Sequence, residues 1–170
     1  FHVNDFPVAQ QAIKQALEEW PEEPRWHALA GKITLSLPAE NRLQQLADAI
    51  DCFEKAASLE PENSAHQLSL GDIYLETGQG RRALGALEKA TRLEAENSAG
   101  WLALAKAQHA AGEFDQAASS AERAIELSED PVEGLLLRAD TALKTNNYRG
   151  ALNRAQAVLQ HPMELERLPR

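Results

Sequence analysis

The sequence predicts an all-α fold in which antiparallel helix pairs repeat along the chain and stack into a solenoid. The first observation behind this prediction is internal repetition, because three segments agree at one fixed offset of about 34 residues. The second is composition: aromatic residues make up only 5% of the chain while alanine and leucine dominate, which favours helices over sheets. The agreeing positions hold small or turn-forming residues: Gly71, Ala105 and Ala139; Gly78, Gly112 and Asn146; and Ala83, Ala117 and Ala151.

One repeat unit, residues 64–97, shows why each copy should fold as helix, turn and helix. Leu70 and Tyr74 lie four residues apart in the first half, which places both side chains on one helical face. Ala83 and Leu87 have the same spacing in the second half. Each predicted helix therefore has an apolar stripe that needs a partner, and the adjacent helix of the same unit is the nearest one.

Turn and cap residues mark the ends of the predicted helices. Gly78, Gly112 and Asn146 stand where each first helix ends, and glycine or asparagine suits the left-handed conformation just past a helix C-terminus. Side chains that can cap the next helix follow each second helix, at Asn63-Ser64, Asn97-Ser98 and Asp130-Pro131. Pro131 is expected at the first helical position.

This pattern resembles the tetratricopeptide-repeat family over nearly the whole chain. The resemblance rests on small, aromatic and glycine positions that agree in several copies. In one repeat the matching residues are Trp101, Leu104, Ala105, Gly112, Phe114, Ala117 and Ala124, and in the next they are Leu135, Ala139, Asn146, Tyr148 and Ala151. The resemblance implies a right-handed superhelical solenoid of about nine helices, and it implies protein binding as the general function.

Extending the repeat toward both ends of the chain predicts its organisation. Residues 1–22 form the second helix of a truncated repeat, residues 23–63 a repeat with an insertion, residues 64–97, 98–131 and 132–162 three further repeats, and residues 163–170 a C-terminal tail.

The insertion is predicted to be seven residues long, near residues 37–43, because the spacing from Trp26 to Ala49 exceeds the family's spacing for the same two positions by that length. Seven residues are about two helical turns, so one or both helices can lengthen without rotating their apolar faces. Pro38 and Asn41 mark the expected turn. The inserted residues either form a protruding tip that contacts a partner or are a tolerated insertion in a solvent-facing loop.

In the tetratricopeptide family the first helix of each pair lines a concave groove. Carried over position by position, the resemblance implies these peptide-groove residues: His27, Gly31 and Thr34; Leu68, Asp72 and Leu75; Leu102, Lys106 and His109; and Leu136, Asp140 and Leu143. The leucines form either an exposed apolar track for an extended or helical peptide or a row that neighbouring helices bury. Asp72, Lys106 and Asp140 alternate in sign, so they can pair with a ligand's charges or with one another.

Composition disfavours several other classes of function. The net charge of −9 and the pI near 5.0 argue against nucleic acid and against an anionic membrane surface as partners. We find no catalytic, phosphate-binding or metal-binding motif, so we expect no catalytic residue, no cofactor and no metal site. Cys52 is a single cysteine, and no run of eighteen apolar residues exists, so we expect no intramolecular disulfide and no membrane insertion in this segment. We expect a soluble protein, with the cytoplasm slightly favoured.

The leading hypothesis is therefore a non-enzymatic scaffold or adaptor that binds a peptide or a partner helix in the concave groove. The first alternative is self-association, in which copies stack end to end through the unfinished N-terminal helix and form a homo-oligomer. The second alternative is a regulatory repeat array within a longer enzyme or a secretion or assembly protein. The sequence does not identify the partner.

Overall fold

The computed structural model describes residues 6–38 and 40–145, together with 149 and 156, and every regular element in that part of the chain is an α-helix. Eight helices follow one another: α1 Phe6–Glu19, α2 Pro24–Ser36, α3 Arg42–Leu59, α4 Ser64–Glu76, α5 Gly80–Leu93, α6 Ser98–Ala111, α7 Phe114–Leu127 and α8 Val132–Lys144. The predicted all-α solenoid is confirmed. The expected ninth helix, the C-terminal tail and residues Asn146, Tyr148 and Ala151 lie outside the described residues.

The helices pack as consecutive antiparallel pairs. The most extensive contacts join α2 to α3, α4 to α5 and α6 to α7, and each second helix also contacts the first helix of the next pair. In addition α4 contacts α6 and α6 contacts α8, whereas the described second helices α3, α5 and α7 make no contact of comparable extent with one another. The first helices therefore lie on the inner side of the curved array.

Small residues allow the two helices of a pair to approach closely. Ala49, Ala83 and Ala117 occupy the same position in α3, α5 and α7, and all three are fully buried. A Cβ atom placed on Gly71 of α4 would lie only 2.4 Å from Leu87 Cγ of α5. Close approach is therefore why these positions recur as alanine and glycine.

The predicted turns and caps are confirmed for the helices α4 and α6. Gly78 and Gly112 both have positive φ, 72° and 81°, as the left-handed conformation requires. Asn63 Oδ1 accepts a hydrogen bond from Ala65 N at 3.1 Å, which caps α4. Asn97 Oδ1 accepts one from the third residue of α6 in the same way, at 3.2 Å.

The last cap differs from the prediction. Pro131 occupies the N-cap position of α8, and the helix begins one residue later, at Val132. Asp130 Oδ1 lies 3.4 Å from Val132 N and accepts its hydrogen bond. Proline has no backbone N–H, and the N-cap residue donates no backbone hydrogen bond within the helix, so proline is compatible with this position.

The insertion is one residue shorter than predicted. The first helices begin at Pro24, Ser64, Ser98 and Val132, so the first interval exceeds each of the next two by six residues. The six additional residues extend α3 to 18 residues, against 14 in α5, and lengthen the preceding connection by two residues. The expected turn around Asn41 is confirmed, and Asn41 Oδ1 caps α3 by accepting a hydrogen bond from Gln44 N.

The predicted insertion is one residue too long because the sequence prediction places the register of α2 one residue too early. His27 Nε2 donates to Pro21 O at 2.7 Å, and Trp101 Nε1 donates to Ala95 O at 2.8 Å, each side chain reaching back six residues to the preceding turn. His27 is therefore the structural counterpart of Trp101. Residue type alone assigns that position to Trp26, the neighbouring large aromatic residue.

Side chains of the insertion tie it to the helices around it. Gln45 is buried, and its Nε2 donates to Thr34 O and Leu37 O at the end of α2. Arg42 Nε donates to Glu76 Oε1 of the next pair at 2.9 Å. Leu43, in the added turn of α3, is 72% exposed.

None of the described helices combines the length and the apolar character that are needed to span a membrane.

Candidate functional site

The predicted groove leucines lie on the first helices, and their exposure increases along the array. Leu68 and Leu75 of α4 are half-buried and pack against the core, and Leu102 of α6 is also half-buried. Leu136 and Leu143 of α8 are 55% and 49% exposed. Burial by neighbouring helices therefore applies to the α4 leucines, which are mainly part of the core. Exposure applies to the α8 leucines, which are open to solvent.

Two of the predicted charged groove residues, Lys106 and Asp140, each contact a side chain on the neighbouring first helix. Lys106 Nζ lies 2.6 Å from Glu133 Oε1 of α8. His109 Nε2 lies 2.9 Å from Asp140 Oδ2, also of α8. Burial raises the pKa of the Asp72 carboxyl, and the nearby Lys106 charge partly opposes that rise. These contacts link the inner surface of α6 to that of α8.

Glu133 is a groove residue that the sequence analysis missed. It stands in the first turn of α8, and its carboxylate contacts Lys106. The signal was present, because Glu133 stands three residues before the predicted groove residue Leu136 and therefore on the same side of the helix. The predicted set includes only positions 5, 9 and 12 of each repeat.

The three groove residues predicted on α2 require a correction. Gly31 is buried, and a Cβ atom there would lie 2.6 Å from Phe53 Cε2 of α3, so Gly31 corresponds to Gly71. His27 contacts the preceding turn, and Thr34 offers its carbonyl oxygen to Gln45. A register error of one residue rotates a helix by about 100°, so these three residues correspond to the buried Gln67, Gly71 and Tyr74 of α4 and not to Leu68, Asp72 and Leu75.

In the corrected register the residues of α2 that match the groove positions of α4 are Ala28, Lys32 and Leu35. Ala28 is buried, Leu35 is half-buried against the core, and Lys32 is exposed. This part of the inner surface is consequently less apolar at its exposed positions than the part on α8.

A packed aromatic ring fixes the position of His109. Its imidazole meets Phe114 edge to face, with ring centroids 5.4 Å apart. Phe114 begins α7, so the second helix of the pair supports the groove side of the first. The arrangement as a whole offers apolar contact surface beside charged side chains, which is suited to recognition of another chain.

Comparisons with known proteins agree with this fold. The family model for anaphase-promoting complex, cyclosome, subunit 3 matches residues 42–124. A crystal structure of MamA superposes with a TM-score of 0.86 at 18% identity, covering 97% of this chain and 93% of that one. No curated protein sequence matches the chain.

Two further solved structures have the same arrangement of helices. YrrB, described as a TPR protein with an unusual peptide-binding site, has a TM-score of 0.79 at 21% identity and covers 98% of this chain and 86% of its own. PilF of Pseudomonas aeruginosa has a TM-score of 0.76 at 19% identity, with 92% and 69% covered. At these identities the similarity shows a shared fold.

Proposed function

We propose that this chain, which has the fold of tetratricopeptide-repeat proteins, is a non-enzymatic scaffold or adaptor that binds a segment of a partner protein on the inner surface of α6 and α8. The fold itself suggests protein–protein interaction, since stacked helix pairs offer a long continuous surface. The choice of α6 and α8 within that surface rests on exposure and charge.

The observation that supports this choice is the exposed pair of leucines on α8. Leu136 and Leu143 are seven residues apart, which is about two helical turns, so both lie on one face. Fully burying one leucine side chain stabilises by about 1.5–3 kcal/mol, whereas an exposed ion pair contributes about 0–1 kcal/mol. The leucines would therefore supply most of the affinity, and the charged side chains beside them would set the register of the ligand.

The spacing of the two leucines limits the ligand. Seven residues of helix span about 10 Å at 1.5 Å per residue. A helical peptide matches that span with apolar side chains seven residues apart. In an extended peptide, at about 3.3 Å per residue, only side chains two or four residues apart share a face, at about 6.6 or 13 Å, so the spacing favours a helical ligand. The net charge of −9 favours a neutral or basic segment.

The test compares affinity capture by three proteins, which are the unchanged protein and two variants of it. Leu136→Ser with Leu143→Ser should lose partners that the unchanged protein retains, while the helical circular dichroism spectrum stays the same. Leu43→Ser is the matched control, because Leu43 is an exposed leucine outside the groove. Equal capture by all three proteins would rule out the α8 surface as the binding site.

Self-association through α1 is the second candidate, and exposed apolar side chains at that end favour it. Val8 and Trp20 are both more than half exposed. Light scattering over a range of concentrations separates this function from adaptor binding. Oligomers that disappear when residues 1–20 are deleted would support self-association, and a monomer at every concentration would exclude it.

A further inference from the structure

The helix α5 is basic, although the protein as a whole has a net charge of −9. Four of its five charged side chains are basic, so the helix has a net charge of +3. The second helices on either side of it are acidic, because α3 has two basic and three acidic residues and α7 has one basic and three acidic residues. Among the described second helices, α5 is therefore the one with a positive charge.

Most of these basic side chains are not neutralised within the protein. Arg82 is the exception, since it contacts Glu54 of α3. The side chains of Arg81, which is exposed, and Lys89, which is half-buried, form no ion pair or hydrogen bond with any residue that the structure describes. Arg92 is 70% exposed, and its contact is a distant one of 3.9 Å with a glutamate of the same helix. Three basic groups are therefore available to a ligand.

Gly85 leaves a notch between Arg81 and Arg92 on the exposed face of α5. Glycine inside a helix costs about 1 kcal/mol relative to alanine. Gly31 and Gly71 are required by close contact with a neighbouring helix, but a Cβ atom on Gly85 would meet nothing within 4 Å. Packing within the protein therefore does not account for Gly85, and its missing side chain lets another helix approach α5 closely from outside.

We propose that the outer face of α5 binds one acidic helix of a partner protein, with an apolar side chain of that helix over Gly85 and its carboxylates beside Arg81 and Arg92. Leu84, which is half-buried next to the notch, provides apolar contact for the central side chain. Arg81 and Arg92 are eleven residues apart, which is about 16 Å along the helix, so the ligand needs at least about three helical turns. This surface is separate from the inner surface of α6 and α8, so each proposal can fail without the other.

The acidic helices beside α5 limit the class of ligand. Asp48 and Asp51 of α3 and Asp115 and Glu126 of α7 are exposed at positions equivalent to those of the α5 face. A broad polyanion, such as nucleic acid or an anionic membrane, would meet these carboxylates as well as α5 and be repelled. A single helix is about 10–12 Å across, which is narrow enough to lie on α5 alone.

A second copy of this chain is a less suitable occupant. The second helices lie on the outer side of the curved array, so two copies that meet here touch over about one helix each. A two-fold symmetric contact sets the same surface against itself and would place α5 against α5. Basic side chains would then face basic side chains, and an acidic helix of another protein avoids that repulsion.

The probe for the test is an alanine-rich helical peptide of about seventeen residues, with one central leucine and glutamates one and two turns to either side of it on the same face. The control peptide has the same composition with its glutamates on the opposite face. Amide chemical shifts of the isotope-labelled whole protein follow both titrations, because nuclear magnetic resonance detects weak binding. We expect saturable shifts at Gly85 and Arg92 with the first peptide, and at least about fivefold weaker binding of the control.

Two pairs of protein variants test the basic side chains. Arg81→Gln with Arg92→Gln should weaken binding of the first peptide about tenfold. Lys32→Gln with Lys144→Gln is the matched control, because it removes the same charge from two exposed lysines outside α5 and should change little.

Gly85→Gln tests the notch. Its side chain would occupy the place of the peptide leucine, so binding should weaken at least about fivefold. Glutamine is a better helix former than glycine, so this variant should be at least as stable as the unchanged protein in urea denaturation. Weaker binding by a protein of undiminished stability cannot come from unfolding.

Any of four results would overturn the proposal. The first is equal affinity of the two peptides, or no binding of either. The second is equal binding to the arginine and lysine variants, and the third is chemical-shift changes that fall on α6 and α8 instead of α5. The fourth is a concentration-dependent dimer of the unmodified protein that Gly85→Gln abolishes, since the occupant would then be a second copy.

Discussion

Replacing Gly71 by alanine is predicted to destabilise the protein, although the same change in an open helical site should stabilise it. A Cβ atom at Gly71 would lie 2.4 Å from Leu87 Cγ and Cδ2. Gly85, in the middle of α5, provides the matched control because it is exposed and a Cβ atom there meets nothing within 4 Å.

The magnitude follows from two opposing terms. Glycine to alanine in a helix gains about 1 kcal/mol of intrinsic helix stability. Overpacking a filled core costs about 1–3 kcal/mol, and the upper end applies here because Leu87 is completely buried and carbon contacts are optimal at about 3.5–4.0 Å. We therefore expect Gly71→Ala to lower the free energy of unfolding by about 1–2 kcal/mol and Gly85→Ala to raise it by about 1 kcal/mol.

Urea denaturation followed by far-ultraviolet circular dichroism measures both values. A double-mutant cycle isolates the contact: Leu87→Ala alone should cost about 2–5 kcal/mol, but in its background Gly71→Ala should become stabilising. If Gly71→Ala stabilises the unaltered protein as much as Gly85→Ala does, the close approach of α4 and α5 is refuted.

Three further predictions concern caps, turns and titration. Asn97→Ala removes the side-chain cap of α6 and should lower the free energy of unfolding by about 1 kcal/mol in thermal melts, while Asn97→Asp should be nearly neutral. Gly112→Ala should cost about 1–2 kcal/mol in urea denaturation purely through its positive φ, with Gly112→Asn costing less, and equal stability of all three proteins would contradict that. Burial, together with a hydrogen bond to Glu54, raises the pKa of Tyr74 above its ordinary 10.0, so its contribution to stability should be complete below pH 10.0 and lost as the pH rises through the folded-state pKa. Ultraviolet titration against Tyr74→Phe checks this, and a phenol that titrates normally in the folded protein would disprove it.

The fold was predictable because its rules are local and repeated. Gly78 and Gly112 end helices by a conformation that glycine alone adopts easily, and Asn63 and Asn97 cap helices within three residues of themselves. Each of these signals recurs at the same interval along the chain, so one copy supports the interpretation of the next. The α2 register failed where repetition was interrupted, since the insertion removed the fixed interval and two adjacent large aromatic residues, Trp26 and His27, competed for one position.

The candidate sites were less predictable. The sequence could place Leu68, Leu102 and Leu136 at the same repeat position, but their exposure differs because the helices packed around each one differ. Lys106 was predicted as a groove charge, whereas its contact with Glu133 depends on the distance between α6 and α8.

The sequence by itself determined the all-α repeat, the turn glycines, the asparagine caps and the small residues between paired helices, because each depends on backbone conformation or on spacing within one unit. The tertiary structure decided which way α2 is rotated, which leucines face solvent and which charges meet, because these depend on how one unit packs against the next. Gly31 illustrates the difference: the sequence supplied a residue without a side chain, and the packing of Phe53 against it decided that it belongs to the core of a helix pair.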